Sequence, residues 1–309
     1  METVKIGICE PESFSEKAIG ILKSIGSIEF FNGKDIKGFI KDKYAIFVRL
    51  KYKIDDDLIS NADNLKFICS PTTGLNHIDV SKDDITVLSL KGEYEFLNTV
   101  RATPEHIFGL SLALLRNYAH AFRTPDNFDF NRIPYRGYEL YHNSIGIVGM
   151  GRIGKIISDY YTAFGADVYY YDKENIILED YYRCASMEEL IDKSKIIILC
   201  SNYTKDNENM INANHFKRMK GKYFINAARG ELVRELDLLE YIKKDWFAGV
   251  AIDVIANETS ESDFYKQIIQ LTHRTNLIIT PHIGGATFTS MMRTEEFIAG
   301  KLVNAVKGK

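Results

Sequence analysis

The chain has 309 residues, 45% of them hydrophobic and 26% charged, with a net charge of −3. That length suits two domains or one large α/β unit, with a core that needs no staples. The weakly acidic balance gives no footing for nucleic acid or an anionic membrane surface. Cys9, Cys69, Cys184 and Cys200 form neither a C-x-x-C pair nor a metal-ligand cluster. Cys9, Cys69 and Cys200 lie in or beside apolar runs, which predicts buried thiols in a reducing compartment, and no metal site is expected. No signal peptide precedes the first apolar run and no run reaches membrane-spanning length, so a cytoplasmic protein is expected.

Strand-like and helix-like segments alternate from the start. Val4–Cys9, Ile28–Phe31, Tyr44–Leu50, Leu65–Ser70 and Thr86–Leu90 are short branched runs. Helix-sized stretches separate them, such as Ser15–Ile25 with Ala18, Ile19, Leu22 and Ile25 on one face. This is the pattern of a parallel sheet. Residues 103–116 predict a buried helix linking two domains, with Thr103 as N-cap and Pro104 in its first turn. His106, near its start, reads as a hydrogen-bonded or solvated residue rather than a ligand. Residues 117–143, with Pro125 and Pro134, read as a loop. The α/β pattern resumes with a strand at Ile145–Val148, and a capped helix is expected over Ser186–Lys193. Further strands are predicted over Lys195–Cys200, Tyr223–Ala227, Phe247–Val254 and Asn276–Thr280, helices over Ala213–Met219 and Glu235–Lys243, and a last helix over 287–306.

The central feature is the stretch from Ser144 to Asp172. A strand leads into Gly149, Gly151 and Gly154, spaced G-x-G-x-x-G; a helix and a second strand follow, ending at Asp172, 18 residues past Gly154. Gly149 permits a tight turn, Gly151 lets a pyrophosphate approach the backbone, and Gly154 lets helix and strand pack closely. The helix N-terminus offers N–H groups and the positive end of its dipole to phosphates. Asp172 is placed to accept ribose hydroxyls and to repel a 2′-phosphate, which favours NAD over NADP, although Lys173 follows it. A complete α/β unit precedes this fingerprint, so the nucleotide domain does not open the chain.

Three later stretches place polar residues just after strands. In Phe224–Gly230, Arg229 follows small Ala227 and Ala228, which leave room for a cofactor ring; its guanidinium can grip a carboxylate and polarise a carbonyl. In Val250–Glu258, Asp253 ends a strand and Glu258 follows. In Thr280–Thr287, His282 follows Pro281, and Gly284 and Gly285 allow backbone to come near a ligand. A histidine beside a carboxylate moves protons near neutral pH.

These motifs resemble the D-isomer-specific 2-hydroxyacid dehydrogenase family over almost the whole chain. The residues that carry the resemblance are GLNHIDV (74–80), VRATPEHIFGLSLALLR (100–116), VGMGRIG (148–154), FKRMKGKYFINAARGELV (216–233), AGVAIDV with its downstream Glu258, and TPHIGGAT (280–287). The resemblance implies two Rossmann-like, doubly wound parallel-sheet domains. The substrate-binding domain would comprise 1–99 and 281–309, and the NAD-binding domain, 100–280, would be inserted into it. Catalytic arginine, glutamate and histidine would fall on Arg229, Glu258 and His282. Asp253 would bind the carboxamide, and Arg152 and Ile153 would join the glycines at the cofactor. Backbone around Thr72–Leu75, notably Thr73 and Gly74, would hold the substrate carboxylate. The expected partner is a small 2-hydroxy or 2-keto acid, and a homodimer formed through the nucleotide domain is implied.

Phe47–Lys53 resembles the stretch that supplies basic contacts to the substrate phosphate in phosphoglycerate dehydrogenases. Arg49 and Lys51, alternating on a strand, would then face one anion. The loop CSPTTGLNHID departs from that enzyme's usual loop, LCSNYT (199–204) lacks the family's common His and Pro, and Thr259 stands where Pro is common. Two alternatives share the scaffold: a formate- or phosphite-type dehydrogenase, and an NAD-responsive protein like the family's corepressors. Tyr169 and Lys173 also match Y-x-x-x-K of short-chain reductases, but on the ribose-binding strand end, where chance is the better account.

Overall fold

The computed structural model describes residues 4–122, 131–258, 262–273 and 275–308. Pro125 and Thr259 lie outside them. The chain divides into two compact units, one of Met1–Val100 with Ala286–Lys309 and one of Arg101–Gly285.

In the first unit, β1 (Val4–Ile8), β2 (Gly26–Phe30), β3 (Ala45–Phe47), β5 (Phe67–Ser70) and β7 (Thr86–Ser89) form a parallel sheet in the order β2-β1-β3-β5-β7. Two short strands, β4 (Ile54–Asp55) and β6 (Ile78–Asp79), pair separately. Side-chain alternation sends Ile6, Ile8 and Phe47 to one face and Ile46 and Ile68 to the other. Both faces are covered, which explains why these strands read as unbroken apolar runs. The helix Glu16–Leu22, capped by Ser15, packs on the C-terminal helix Phe288–Lys307, whose Ile298, Ala299 and Leu302 enter the same core.

The second unit holds β8 (Ser144–Val148), β9 (Asp167–Tyr171), β10 (Tyr182–Arg183), β11 (Ile196–Leu199), β12 (Tyr223–Asn226), β13 (Gly249–Ile252) and β14 (Leu277–Ile279). They pair in parallel in the order β10-β9-β8-β11-β12-β13-β14. Ile196 and Ile198 enter one core, Ile197 and Leu199 the other. This is a doubly wound sheet whose order reverses between β8 and β11, the place where such sheets bind ligands, beyond the carboxyl ends of the strands.

Two expectations change. The helix forecast for 103–116 spans Ala102–Leu115, and its Ile107, Leu110, Leu114 and Leu115 pack into the second unit. It is a core helix of that unit rather than a connector. Thr103 does not cap it: Arg101 holds the N-cap position with no side-chain bond, and Thr103 lies within the first turn. Pro104 is tolerated there because that turn has no intrahelical acceptor for its missing N–H. The strand forecast for Tyr44–Leu50 ends at Phe47, so Arg49 and Lys51 lie past it, Arg49 in irregular backbone and Lys51 in a bend.

Candidate active site

The glycine turn has the tight conformation at Gly149 and the close packing at Gly154 that its spacing predicts. Gly149 has φ +98°, and a Cβ there would sit 2.6 Å from Ser201 Oγ and 2.8 Å from Ser201 N. Only glycine fits that conformation and that approach. Gly154 packs so closely that a Cβ would lie 2.4 Å from the carbonyl oxygen of Gly149. Gly151 is different, since a Cβ there would meet nothing within 4 Å. It caps the helix Arg152–Ala163 in extended conformation and leaves open space at the helix N-terminus. That opening suits a pyrophosphate, with backbone N–H groups and dipole facing it. Asp172 Oδ2 accepts the Met150 N–H at 2.7 Å, and Oδ1 accepts the Glu174 N–H at 2.9 Å. The acid is thereby fixed beside the turn, with lone pairs left for further donors. Burial, and then the charge of Arg101, pulls the Arg152 guanidinium below its ordinary pKa. These residues fit a dinucleotide.

Arg229, Glu258 and His282 follow β12, β13 and β14, so all three emerge from one edge of the sheet. Arg229 is braced from below. Buried Asn226 accepts the Ala228 N–H at 3.1 Å and donates to the Arg229 carbonyl at 3.0 Å, and Arg229 Nη1 donates to the Ala228 carbonyl at 2.7 Å. Gly230 approaches the Ile255–Ala256 peptide so tightly that a Cβ would lie 2.0 Å from the Ile255 carbonyl carbon. Glu235 Oε1 accepts the Ala256 N–H at 2.7 Å. The turn that carries Arg229 and the chain leading to Glu258 are thus stapled together.

His282 Nδ1 lies 2.7 Å from Glu258 Oε2. An ionised carboxylate only accepts, so Nδ1 carries the proton and Nε2 is the nitrogen left for exchange. His282 has φ +53°, a conformation rare outside glycine, and its N–H donates to the carbonyls of Asp253 and Thr280.

The carboxylate of Asp253 holds this strained turn. It is 3% exposed. Oδ1 accepts from Thr280 Oγ1 at 2.6 Å and the Ile283 N–H at 2.9 Å, and Oδ2 accepts the Gly284 N–H at 2.8 Å. His106 Nε2 stands 3.3 Å from both Asp253 Oδ1 and Thr280 Oγ1. Burial alone would push this carboxyl up, but His106, Thr280 and the two N–H groups outweigh it and hold it below the ordinary carboxylate range. Asp253, expected to serve the cofactor carboxamide, has its oxygens engaged by the His282 loop, with Oδ2 taking a single N–H and keeping acceptor capacity for a further donor. The close approach at Gly284 is likewise to Asp253, whose Oδ2 would lie 2.9 Å from a Cβ there; a Cβ at Gly285 would meet nothing within 4 Å. Ala227 is buried and Ala228 half-buried behind Arg229.

Sequence reading missed Asn226 and the partnership of His106 with Asp253. A polar residue inside the apolar run Tyr223–Ala227 was the available signal for the first. The second had none, because 147 positions separate the two residues.

In the first unit, the Thr73, Gly74 and Leu75 N–H groups make no hydrogen bond among the described residues, while Thr72 Oγ1 donates to the Gly74 carbonyl at 2.8 Å. Arg49 departs from expectation. Its Nε donates to Glu295 Oε1 at 3.0 Å, Nη2 pairs with the same oxygen, and Nη1 donates to the Glu12 carbonyl at 3.2 Å. Lys51 is exposed, with Nζ 5.4 Å from the centre of the Tyr52 ring. Because the strand has already ended, strand alternation does not align the two charges. Among the described residues no cluster of His, Cys, Asp or Glu could hold a metal ion, and no helix is long and apolar enough to cross a membrane.

A dinucleotide turn at the switch point of a doubly wound sheet, with an arginine and a histidine–carboxylate pair at the same sheet edge, defines a nicotinamide-dependent dehydrogenase. The family model described as D-isomer specific 2-hydroxyacid dehydrogenase, NAD binding domain, matches residues 108–284. A glyoxylate reductase of Pyrococcus furiosus is 30% identical over 284 residues, 87% of this chain and 81% of that protein. A D-3-phosphoglycerate dehydrogenase of Archaeoglobus fulgidus is 30% identical, covering 99% of this chain and 58% of its own length. Among solved structures, a D-lactate dehydrogenase from Aquifex aeolicus in complex with NAD and lactic acid superposes with a TM-score of 0.84 at 26% identity, covering 98% of this chain and 96% of that one. The chain belongs to the D-isomer specific 2-hydroxyacid dehydrogenase family, and it is an NAD-dependent oxidoreductase.

Proposed function

We propose that the chain interconverts a D-2-hydroxy acid and its 2-keto acid, with Arg229, Glu258 and His282 as catalytic residues. The observation that carries this reading is the 2.7 Å contact between His282 Nδ1 and Glu258 Oε2 on a loop fixed by Asp253. The nicotinamide that these residues would hold would supply the hydride chemistry at C2. Neutral His282 takes the substrate hydroxyl proton on Nε2 in oxidation, and the imidazolium gives it back in reduction. Glu258 keeps the Nδ1–H tautomer and stabilises the imidazolium charge. Arg229 grips the carboxylate and polarises the 2-oxygen. Gly149, Gly151, Arg152, Ile153, Gly154 and Asp172 are the residues proposed to hold the dinucleotide, with Ala227, Ala228 and Gly285 beside it. In the first unit, the N–H groups of Thr73 and Gly74 are assigned to the acid's carboxylate, which their lack of other partners supports.

We further propose a cytoplasmic homodimer with a small-molecule substrate and no nucleic-acid or membrane partner. Buried, unpaired Cys9, Cys69 and Cys184 fit a reducing compartment. Exposed Ile133, Tyr138 and Tyr141 in the second unit supply apolar surface for a second copy. Sedimentation as a monomer would remove the dimer from this reading.

The direct test is His282→Ala. Reduction of 2-keto acids by NADH should disappear while NADH still binds, followed by nicotinamide fluorescence. Retained turnover would refute the assignment.

A further inference from the structure

The carboxyl edge of the sheet in the first unit carries a charge arrangement that bears on substrate choice. That sheet reverses its order between β1 and β3, the position where doubly wound sheets take ligands. Glu10 and Glu12 follow β1, Arg49 follows β3, and the free N–H groups of Thr73–Leu75 follow the adjacent β5. Arg49, the cation nearest the switch point, is already spent. Glu295, fully buried on the helix Phe288–Lys307, takes Nε and Nη2, and the Glu12 carbonyl takes Nη1. Glu295 is itself fixed by the Ser15 N–H at 2.7 Å. Glu10 Oε1 accepts the Arg49 N–H at 2.8 Å and the Lys51 N–H at 3.3 Å, so a second carboxylate is held on the same turn.

We infer that this edge rejects a phosphorylated acid, and that the substrate is a 2-keto acid whose carboxylate is its only negative charge, with Glu295 and Glu10 as specificity-determining residues. The inference rests on the 2-keto acid reading above and narrows it. A phosphate monoester carries close to two negative charges at neutral pH and needs unspent arginine or lysine donors. Here two carboxylates, of Glu10 and Glu295, sit against Arg49 and the turn that carries Lys51, and Arg49 is internally neutralised. A dianion at this edge meets like charge, which discriminates strongly against it. A hydroxyl, hydrogen or methyl group in the same place meets no such penalty. A glyoxylate reductase and a phosphoglycerate dehydrogenase are each 30% identical to the chain, so overall identity does not choose between the two chemistries and the charge at this edge is the observation that bears on the choice.

The test compares hydroxypyruvate with 3-phosphohydroxypyruvate, which differ only by the phosphoryl group. With NADH and the full chain, kcat/KM should favour hydroxypyruvate by about tenfold or more. In Glu10→Gln, whose amide oxygen can still accept both N–H groups, that ratio should shrink about threefold. A preference for the phosphorylated acid, or a ratio unmoved by Glu10→Gln, overturns the inference. If neither acid is reduced, the 2-keto acid reading fails, and a binding measurement decides the charge rule separately. With NAD present, D-glycerate should raise the melting temperature more than D-3-phosphoglycerate at equal concentration. A larger shift with the phosphorylated acid, or no shift with either, overturns the inference.

Discussion

Replacing Asp253 by Asn removes one negative charge and turns one acceptor into a donor. Oδ1 serves Thr280 Oγ1 and the Ile283 N–H, and Oδ2 serves the Gly284 N–H. The least damaging orientation keeps the amide oxygen at Oδ1 and sets the new NH2 against the Gly284 N–H. One buried donor is then unsatisfied, at a cost of ~1–3 kcal/mol, and the other bonds lose their charge assistance, for a total of about 2–4 kcal/mol. His282 is held at φ +53° by this loop, a conformation that costs ~1–3 kcal/mol unless its surroundings enforce it. The variant should therefore fold with a lowered melting temperature and allow the imidazole to drift from Glu258. A displacement of that kind lowers kcat by ~10–100-fold. The assays are steady-state reduction with NADH and thermal unfolding of the same preparation. Wild-type kcat together with a wild-type melting temperature would refute the claim that Asp253 positions His282.

The same carboxyl predicts a pH dependence. Its folded pKa is held below the ordinary 3.8, so its stabilisation is fully present above that value and is lost as pH falls through the folded pKa. The stability gap between wild type and Asp253→Asn should begin to narrow as pH falls below about 4 and keep narrowing with further acidification; a gap that does not narrow as pH falls would count against it. Gly149→Ala and Gly151→Ala should separate folding from binding. The first meets Ser201 and a φ of +98°, costing about 1–3 kcal/mol or more in stability; the second enters open space and should melt normally while weakening NADH binding. Equal melting temperatures for the two variants would contradict this account. Asp172→Ala should reduce the ratio of kcat/KM for NAD over NADP about tenfold; an unchanged ratio would show that this carboxylate does not choose the cofactor.

Local pattern determined much of this protein. The run of short apolar strands and helix-sized spacers specified parallel sheets, because strands buried on both faces show no alternation to mislead the reader. The spacing of Gly149, Gly151 and Gly154 specified the dinucleotide turn, since backbone conformation and close approach are properties of a few adjacent residues. Arg229, Glu258 and His282 were legible because each follows a strand, and parallel strands deliver their ends to one edge. What the chain concealed were pairings between distant positions. Arg49 looks like an anion-binding residue until the C-terminal helix brings buried Glu295 against its guanidinium. Nothing near Asp253 in the sequence shows that the turn at His282 folds back and engages its oxygens. A side chain's type states which interactions it can make; only tertiary packing decides which partner reaches it first, because a desolvated charge takes the nearest partner the fold supplies.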